Sequence, residues 1–335
     1  MGYAKLNFAT TVTTAQAMYD VVRVLNGTIT APANLSYAST TNSEIVNTLA
    51  ENWTVVYGSV ADTTTAYVVS SPCVTAAKTH FVKLQMGNGT SWDASAAFST
   101  AGAGIGLNTI SAATSATSVT NPAFYSTSTG ATGMGRYLVK VDASNTNIYI
   151  HWSSHHILFY GLSSAGATTM FIGSFEYPEN SLTQFTNTAP VLQYNYTYAQ
   201  TTTFITTTAV TTGTTSAILF QGINIHEPLA STTSGVYNLG VAGYGTVIHS
   251  DFDPIVTLDS LGNNVYPLVP YYWTLPSRGI PNLNLSQLTG VYRMAKSAGA
   301  AEAVFTVGGA SYVWLPLSTT ITGGTQQAGI GILKS

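Results

Sequence analysis

Short runs of β-branched and aromatic residues, separated by turn residues, fill most of the chain after residue 52. In His80–Met86, for example, apolar and polar side chains alternate up to the turn sequence Gly87-Asn88-Gly89. An alternation of period two indicates a strand with one buried face, and the glycine-rich sequence favours a tight turn. Strands this short and evenly spaced predict a mainly β fold, with antiparallel sheets arranged as a sandwich or a barrel.

Two hairpins can be placed in this pattern. In the first, Arg136–Asp142 turns back and pairs with Asn147–Trp152. In the second, Ala303–Val307 continues through two glycines into Ser311–Leu317, and a glycine pair is a strong hairpin signal. Gly329–Leu333 then follows as an expected edge strand of the same region.

A short helical element is predicted near the start of the chain. Thr13 or Thr14 can cap its N-terminus, and Asn26-Gly27 can end it with a left-handed residue. Apolar residues between these caps recur at i, i+3, i+4 and i+7: Met18, Val21, Val22 and Leu25. This spacing indicates one buried helical face.

The polar positions of this helix and the segment after it complete the N-terminal prediction. Asp20 and Arg23 are expected on the exposed surface of the helix. A second short helix is predicted over Ser43–Ala50, with Glu44 in its first turn, where a negative charge suits the helix dipole.

Composition divides the chain into three ranges. Residues 1–93 hold the helix and a β region, residues 94–135 are rich in Ala, Ser, Thr and Gly, and residues 136–335 form a larger antiparallel β domain. The middle range is either a flexible linker or an ordered loop. Its apolar residues favour an ordered loop that packs on another surface: Phe98, Ile105, Leu107, Ile110, Phe124 and Tyr125.

Charged side chains make up only 7% of the chain, against about 25% in an average soluble protein. A free monomer usually keeps a more charged surface for solubility, so we expect much of this surface to contact neighbouring subunits. The ten Lys and Arg residues are scattered and the net charge is −3. Nucleic-acid binding relies on clustered basic residues, and the sequence therefore predicts no nucleic-acid partner.

The sequence also predicts that the chain neither spans a membrane nor is secreted. No run of apolar residues reaches the length that a membrane span needs, and no secretion signal is visible after Met1. Cys73 is the single cysteine, which leaves no internal disulfide. It lies beside Pro72 without a neighbouring base and is interpreted as a small buried apolar residue. We expect synthesis and assembly in a reducing cytoplasm.

The sharpest polar pattern is His249-x-Asp251-x-Asp253. In an extended segment these three side chains would share one face and could hold a divalent metal ion. Ser250 and Pro254 instead favour a loop in which the three residues are solvated. The solvated loop is the favoured interpretation, and the metal site is the weaker alternative.

A histidine cluster surrounds the segment Trp152-Ser153-Ser154. Ser153-Ser154 is interpreted as a turn, so His151 and His156 are expected to face each other as a cross-strand pair. His155 lies between them. Structural packing is the favoured interpretation, and a metal or pH-sensing role is the alternative.

Catalytic patterns are weak. Glu176 with Glu179, or Asp251 with Asp253, could form the carboxylate pair of a glycosidase, but turns and caps explain acidic residues equally well. Gly102-x-Gly104-x-Gly106 lacks the flanking strand and helix of a phosphate-binding loop and is interpreted as loop composition. The sequence thus predicts a protein that is not an enzyme, with no catalytic residues and no cofactor.

Aromatic residues suggest contact surfaces. Tyr194, Tyr196 and Tyr198 would share one face of a strand, which is more typical of a core or an interface than of a sugar-binding platform. Tyr271-Tyr272-Trp273, between two prolines, is predicted to form a rigid aromatic corner suited to a subunit contact.

The order of segments along the chain resembles that of a known class of proteins. The segments are Leu25-Asn26-Gly27, Ser43–Val46, Trp53-Thr54, Tyr67–Pro72, Phe81–Leu84, His156–Gly161 and Phe171–Glu176. Together they resemble the β-rich virion structural proteins of tailed bacteriophages. The resemblance covers about half of the chain, and no single motif is diagnostic.

This resemblance implies a structural role in the tail, baseplate or neck, in a virion assembled in the host cytoplasm. The implied partners are copies of the chain itself and other virion proteins. One alternative is a receptor-binding tail adhesin that contacts a host surface glycan, and another is a capsid decoration protein. A polysaccharide depolymerase is a further alternative.

Overall fold

The computed structural model shows a mainly β protein built from antiparallel sheets, which confirms the predicted fold class. One α-helix occurs in the part of the chain that the structure describes. That part comprises residues 1–47, 52–70, 81–87, 97, 104–110, 112–116, 119–120, 138–140, 146–153, 156–163, 166–174, 191–197, 217–221, 257–258, 264–265, 268–277, 280–294, 301–316 and 329–335.

The chain divides into two compact units. The first comprises Met1–Ser174 with Thr183–Asn238, and the second comprises Phe175–Leu182 with Leu239–Ser335. The three ranges drawn from composition stay a prediction.

The first unit contains two larger sheets, a small two-stranded sheet and the helix. In chain order its elements are β1 (Gly2–Asn7), α1 (Thr14–Leu25), a 3-10 helix (Pro32–Asn34), β2 (Glu44–Asn47), β3 (Thr54–Tyr57), β4 (Ala66–Ser70), β5 (Phe81–Gly87), β6 (Gly104–Ile110), β7 (Ala112–Ala113), β8 (Val119–Thr120), β9 (Leu138–Lys140), β10 (Asn147–Trp152), β11 (His156–Ser163), β12 (Gly166–Ser174), β13 (Val191–Thr197) and β14 (Ala217–Gln221). The seven-stranded sheet has the order β14-β13-β12-β11-β10-β1-β2. A five-stranded sheet has the order β3-β4-β5-β6-β9, and β7 pairs with β8.

The predicted hairpin between Arg136–Asp142 and Asn147–Trp152 is wrong. Strand β9 pairs with β6 in the five-stranded sheet, whereas β10 lies between β1 and β11 in the other sheet. The first residues of the chain provide the better partner for β10, because Ala4 and Leu6 pair with Ile150 and Ile148 and all four side chains are buried.

Helix α1 forms where the sequence predicted it. Thr13 caps it by accepting a hydrogen bond from the backbone N–H of Gln16, whose side chain accepts one from the Thr13 N–H, so the two form a capping box. At its other end Asn26 is the C-cap and Gly27 has a φ of +75°, a left-handed conformation that favours glycine.

The expected exposure of Asp20 is wrong. Asp20 is fully buried, and its carboxylate accepts hydrogen bonds from the backbone N–H groups of Ser36, Tyr37 and Ala38 at 3.0, 2.7 and 2.7 Å. Arg23 lies one helical turn away, at 4.0 Å from the same carboxylate. Asp20 therefore anchors the loop that follows the 3-10 helix to the buried side of α1.

The second predicted helix, over Ser43–Ala50, is also wrong. Its first half is strand β2, which pairs antiparallel with β1 and places Ile45 opposite Ala4. Ile45 and Val46 are β-branched and favour the extended conformation, and β1 offers them an open ladder of hydrogen bonds.

The helix and both larger sheets of the first unit share one apolar core. Helix α1 packs against β5. The core includes Met18, Val21 and Leu25 from the helix, Leu6, Ile150 and Phe159 from the seven-stranded sheet, and Tyr67, Val82 and Leu84 from the five-stranded sheet. Burying each such side chain stabilises the fold by about 1.5–3 kcal/mol.

The second unit contains a five-stranded sheet. Its elements are β15 (Thr257–Leu258), β16 (Asn264–Val265), β17 (Val269–Ser277), β18 (Ile280–Met294), β19 (Val304–Val307), β20 (Ala310–Pro316) and β21 (Gly329–Leu333). The sheet has the order β17-β18-β21-β20-β19, and β15 pairs with β16 separately. Val291, Val313 and Ile332 lie side by side across its three inner strands and are buried.

The predicted C-terminal hairpin is confirmed. Strands β19 and β20 pair antiparallel, and Gly308 and Gly309 join them with φ values of +60° and +86°, which the two-residue turn requires. The prediction that Gly329–Leu333 is an edge strand is wrong. Strand β21 lies between β18 and β20, because its apolar residues pair on both sides and its glycines admit large neighbours.

The rigid aromatic corner predicted at Tyr271-Tyr272-Trp273 is wrong as well. These residues lie within β17, which pairs with β18 through three shifts of register. Strand β17 is an edge of its sheet, where proline can sit without breaking an inner ladder. The two prolines are thus accommodated by irregular pairing instead of ending the strand.

Candidate functional site

Strands β10 and β11 bring two histidines into contact inside the first unit. The Nδ1 atom of His151 lies 2.9 Å from the Nε2 atom of His156, and the two rings stack with centroids 5.0 Å apart. The register pairs His151 with Leu158, so the histidines meet diagonally across the end of the hairpin instead of directly opposite each other. Both side chains are buried.

The connection between the two strands extends this contact into a chain of hydrogen bonds. The Oγ atom of Ser153 lies 3.0 Å from the Nδ1 atom of His156, and the Ser153 N–H donates to the His156 carbonyl at 3.0 Å. Trp53, which directly precedes β3, donates its indole N–H to the carbonyl of Ser153 at 3.0 Å. These hydrogen bonds link Trp53, just before β3, to the end of the β10–β11 hairpin.

The hydrogen bonds can be satisfied with both imidazoles neutral. In one arrangement the Ser153 hydroxyl donates to Nδ1 of His156, and Nε2 of His156 donates to Nδ1 of His151. In the other, Nδ1 of His151 donates to Nε2 of His156, and Nδ1 of His156 donates to the Ser153 hydroxyl. Protonating both facing nitrogens would place two N–H groups against each other at 2.9 Å. One of the two facing nitrogens therefore donates and the other accepts.

Ser153, His156 and His151 also have the connectivity of a nucleophile, a base and an orienting group. In Ser153, however, only 2% of the residue surface is exposed, and Trp53 and Trp152 beside this chain are fully buried. A substrate cannot reach the hydroxyl in this conformation. The hydrogen bonds of Ser153 instead hold the ends of β10 and β11 together.

Lys83, on β5, was not singled out by its sequence pattern. It is 1% exposed, and desolvation lowers its pKa from 10.5 to about 8. It lies between Val68 of β4 and Asn108 of β6, on the opposite face of the sheet from core residues Val82 and Leu84. Alternation in His80–Met86 predicts a solvated polar face, yet Lys83 is buried, so alternation alone could not reveal it.

A second buried polar group lies on the same face of β5. Gln85 is 8% exposed, and its Oε1 atom accepts no hydrogen bond. Both faces of β5 are therefore buried, one of them apolar and the other polar.

Several sequence-predicted site residues lie outside the described residues: His249, Asp251, Asp253, His155, Glu176, Glu179, Tyr198, Cys73 and Gly102. Within the described ranges, no group of three or more His, Cys, Asp or Glu side chains could hold a metal ion. The metal site at His249, Asp251 and Asp253 stays a prediction.

Other singled-out residues fall on strands. Gly104 and Gly106 lie on β6 and pair with β5 and β9, so the interpretation of these two glycines as part of a loop is wrong. Tyr194 and Tyr196 lie two residues apart on β13, which pairs with β12 and β14.

Three of the four large apolar side chains that are exposed in the described residues lie on edge strands. The large apolar residues that are exposed in the described parts of the chain are Val56, Val60, Val304 and Val307. Val56 belongs to β3, and Val304 and Val307 belong to β19; each of these strands is the edge of its sheet. The edges of the sheets are thus candidate surfaces for contact with other chains.

Among the described residues, no helix has the length and apolar character needed to cross a membrane. No protein-family model matches the chain, and no curated protein matches it in sequence.

Proposed function

We propose that the protein is a structural subunit of a bacteriophage virion, acting in the tail, baseplate or neck. The observation that carries the proposal is the scarcity of charge: 10 basic and 13 acidic residues in a chain of 335. A folded β protein with so neutral a surface is suited to lasting contact with neighbouring subunits. The resemblance of its segment order to phage virion proteins supports the same role.

In this role the protein acts mechanically. Antiparallel sheets bury the apolar side chains, and buried polar groups such as Asp20 hold loops in place. Neutral loops and strand edges are left to contact neighbours. Obligate assemblies of this kind bury large areas, commonly above about 2,000 Å².

The test is the composition of purified particles. Mass spectrometry of virions from the phage that encodes this chain should find it in a stoichiometric ratio to the other structural proteins. An antibody against the purified chain should label one region of the particle in electron micrographs. Particles that lack the chain would overturn the proposal.

A second candidate is a receptor-binding adhesin that recognises a host surface glycan. The observation that favours it is the spacing of Tyr194 and Tyr196 on β13, since tyrosine rings commonly stack on sugars. Glycan-array binding by the purified chain, lost in Tyr194→Ala but kept in Tyr57→Ala, would support this candidate. A polysaccharide depolymerase would instead lower the viscosity of a capsule extract.

A further inference from the structure

On the outer side of β19 no strand pairs among the described residues, and the strand presents backbone hydrogen-bonding groups along this edge. Val307 and Ala310 flank the two-residue turn and exchange hydrogen bonds with each other, and the alternation of the ladder makes Phe305 and Tyr312 the next bonded pair. Beyond them, the Trp314 N–H donates to the Ala303 carbonyl and the Glu302 N–H donates to the Trp314 carbonyl, both at 2.9 Å, so the pairing becomes irregular just before Val304. The N–H and C=O groups of Val304 and Thr306 therefore point away from β20.

Strand β19 is short, and the charged Glu302 lies just before it, but within the strand the other features that usually protect an edge are missing. Val304–Val307 contains no charged residue, no proline and no bulge, and Val304 and Val307 are 54% and 46% exposed. Strand β3 is a contrasting edge, because a register shift between Val55 and Tyr57 disrupts its ladder. Strand β19 is thus the edge better suited to accept another strand.

We propose that β19 pairs antiparallel with β19 of a second copy of the chain, which joins two sheets into one continuous sheet. This inference rests on the proposed function, because it names the contact through which subunits would begin to assemble. Edge pairing between identical strands is isologous and closes around a two-fold axis.

The geometry of the ladder selects one register. A two-fold axis perpendicular to the joined sheet places the same face of both copies on the same side of that sheet. Two residues that pair across the axis must therefore point to the same face of β19, as Val304 and Thr306 do. Pairing Val304 of each copy with Thr306 of the other satisfies this condition and uses all the outward groups of both residues. Phe305 then lies on the axis.

A second copy fits this edge because the strand carries no charge. Two copies of an uncharged strand meet without like-charge repulsion, and the exposed surface of Val304 is covered when the strands pair. A partner with a charged strand would find no opposite charge among Val304–Val307. The absence of charge therefore favours a second copy of β19 as the partner strand.

The first experiment compares Val304→Lys with Val60→Lys by analytical ultracentrifugation. Val60 is also an exposed valine, at 38%, but it lies in the loop after β3, so this variant adds the same charge away from the edge. Wild type and Val60→Lys should associate equally. Val304→Lys should weaken the dimer at least about tenfold, because each copy loses a buried valine and gains a charge at the edge.

The second experiment tests the register by disulfide trapping in a Cys73→Ser background. Val304→Cys and Thr306→Cys change exposed positions and should leave the fold intact. In the proposed register their Cα atoms lie about 5.5 Å apart, within disulfide range. Mixing the two variants should give much more cross-linked dimer than either gives alone. Mixing Val307→Cys with Thr306→Cys should not.

The two experiments can each overturn the proposed pairing. Equal association of Val304→Lys and Val60→Lys, a wild-type chain that stays monomeric, or the absence of enriched mixed cross-links would overturn pairing through β19. None of these results touches the presence of the chain in virions, which the particle composition measures separately. The edge-pairing proposal and the proposed function can therefore fail independently.

Discussion

The two units bury different chemistry. Every buried polar or charged side chain among the described residues lies in the first unit, including Asp20, Lys83, His151 and His156. The buried residues described in the second unit are apolar or aromatic, as in the row Val291, Val313 and Ile332. The first unit thus depends on satisfying particular polar atoms, whereas the second depends on apolar area.

The two kinds of buried contact differ in how strictly they fix the positions of the residues that make them. Asp20 accepts three backbone hydrogen bonds, so only one position of residues 36–38 satisfies it. An apolar sheet tolerates small shifts more easily, because its contacts are not directional. Substitutions at Asp20, Ile332, His156 and Lys83 test whether the two units are stabilised differently.

The largest effect is expected for Asp20→Ala. It leaves three backbone N–H groups without their acceptor, the buried one of Ala38 among them, and should lower the free energy of unfolding of the first unit by about 3–5 kcal/mol. Hydrogen exchange of peptides from α1 and residues 35–38 would measure this. Asp20→Asn keeps one acceptor oxygen and should cost less. Equal exchange in wild type and Asp20→Ala would contradict the anchoring role of the carboxylate.

Ile332→Ala tests the apolar row of the second unit. Ile332 is fully buried, so its truncation should cost about 3 kcal/mol from lost burial and the cavity left behind. Exchange should accelerate in β20 and β21 far more than in β10. The exposed Val60→Ala, away from β19, is the control and should change the stability of either unit little. Equal acceleration in both units would show that the two cores are not stabilised separately.

His156→Leu tests the hydrogen-bonded chain around Ser153. It removes the partner of the His151 Nδ1 atom and of the Ser153 hydroxyl, and should cost about 2 kcal/mol. Ser153→Ala removes one hydroxyl and should cost about half as much. Chemical denaturation followed by the fluorescence of Trp53 and Trp152 would report both. A stabilising His156→Leu would mean that the polar contacts are weaker than apolar packing at this position.

The smallest effect is expected for Lys83→Met, and it should depend on pH. Burial lowers the pKa of Lys83 to about 8, below the ordinary 10.5. Below pH 8 the lysine is charged in both states and its desolvation destabilises the fold. Between pH 8 and 10.5 the unfolded chain binds more protons, so the stability of the wild type rises with pH.

Lys83→Met should therefore be more stable than wild type by about 1–2 kcal/mol at pH 7, with the difference shrinking towards pH 9.5. Urea midpoints at several pH values up to 9.5 would measure it. This range stays below the titration of Tyr67 and Tyr312, since burial raises the pKa of both phenols. If the stability difference between Lys83→Met and wild type stayed constant from pH 7 to 9.5, it would not arise from burial of the charged lysine.

The elements predicted correctly from the sequence carry local signals. The capping box at Thr13 and Gln16 and the glycine pair Gly308-Gly309 each involve residues within a few positions of one another. Such contacts depend on backbone chemistry that a short window of sequence contains. Helix α1 and the β19–β20 hairpin could be predicted for that reason.

The elements predicted wrongly depend on distant partners. The burial of Asp20 depends on N–H groups sixteen to eighteen residues away, and the fate of Asn147–Trp152 depends on β1. The burial of Lys83 on β5 likewise follows from sheet neighbours and not from its own alternation. A pattern of period two identifies a strand but does not identify the strand beside it.

The position of β1 has a consequence for synthesis on the ribosome. This strand emerges well before one of its two neighbours, β10, which lies about 140 residues later, as the contact between Asn7 and Asn147 illustrates. At roughly 5–20 residues per second, β1 waits on the order of 10–30 s for that neighbour. During this interval Leu6 and Ala4 have no finished sheet to enter, so the nascent chain needs shielding by a chaperone or by the early pairing of β1 with β2.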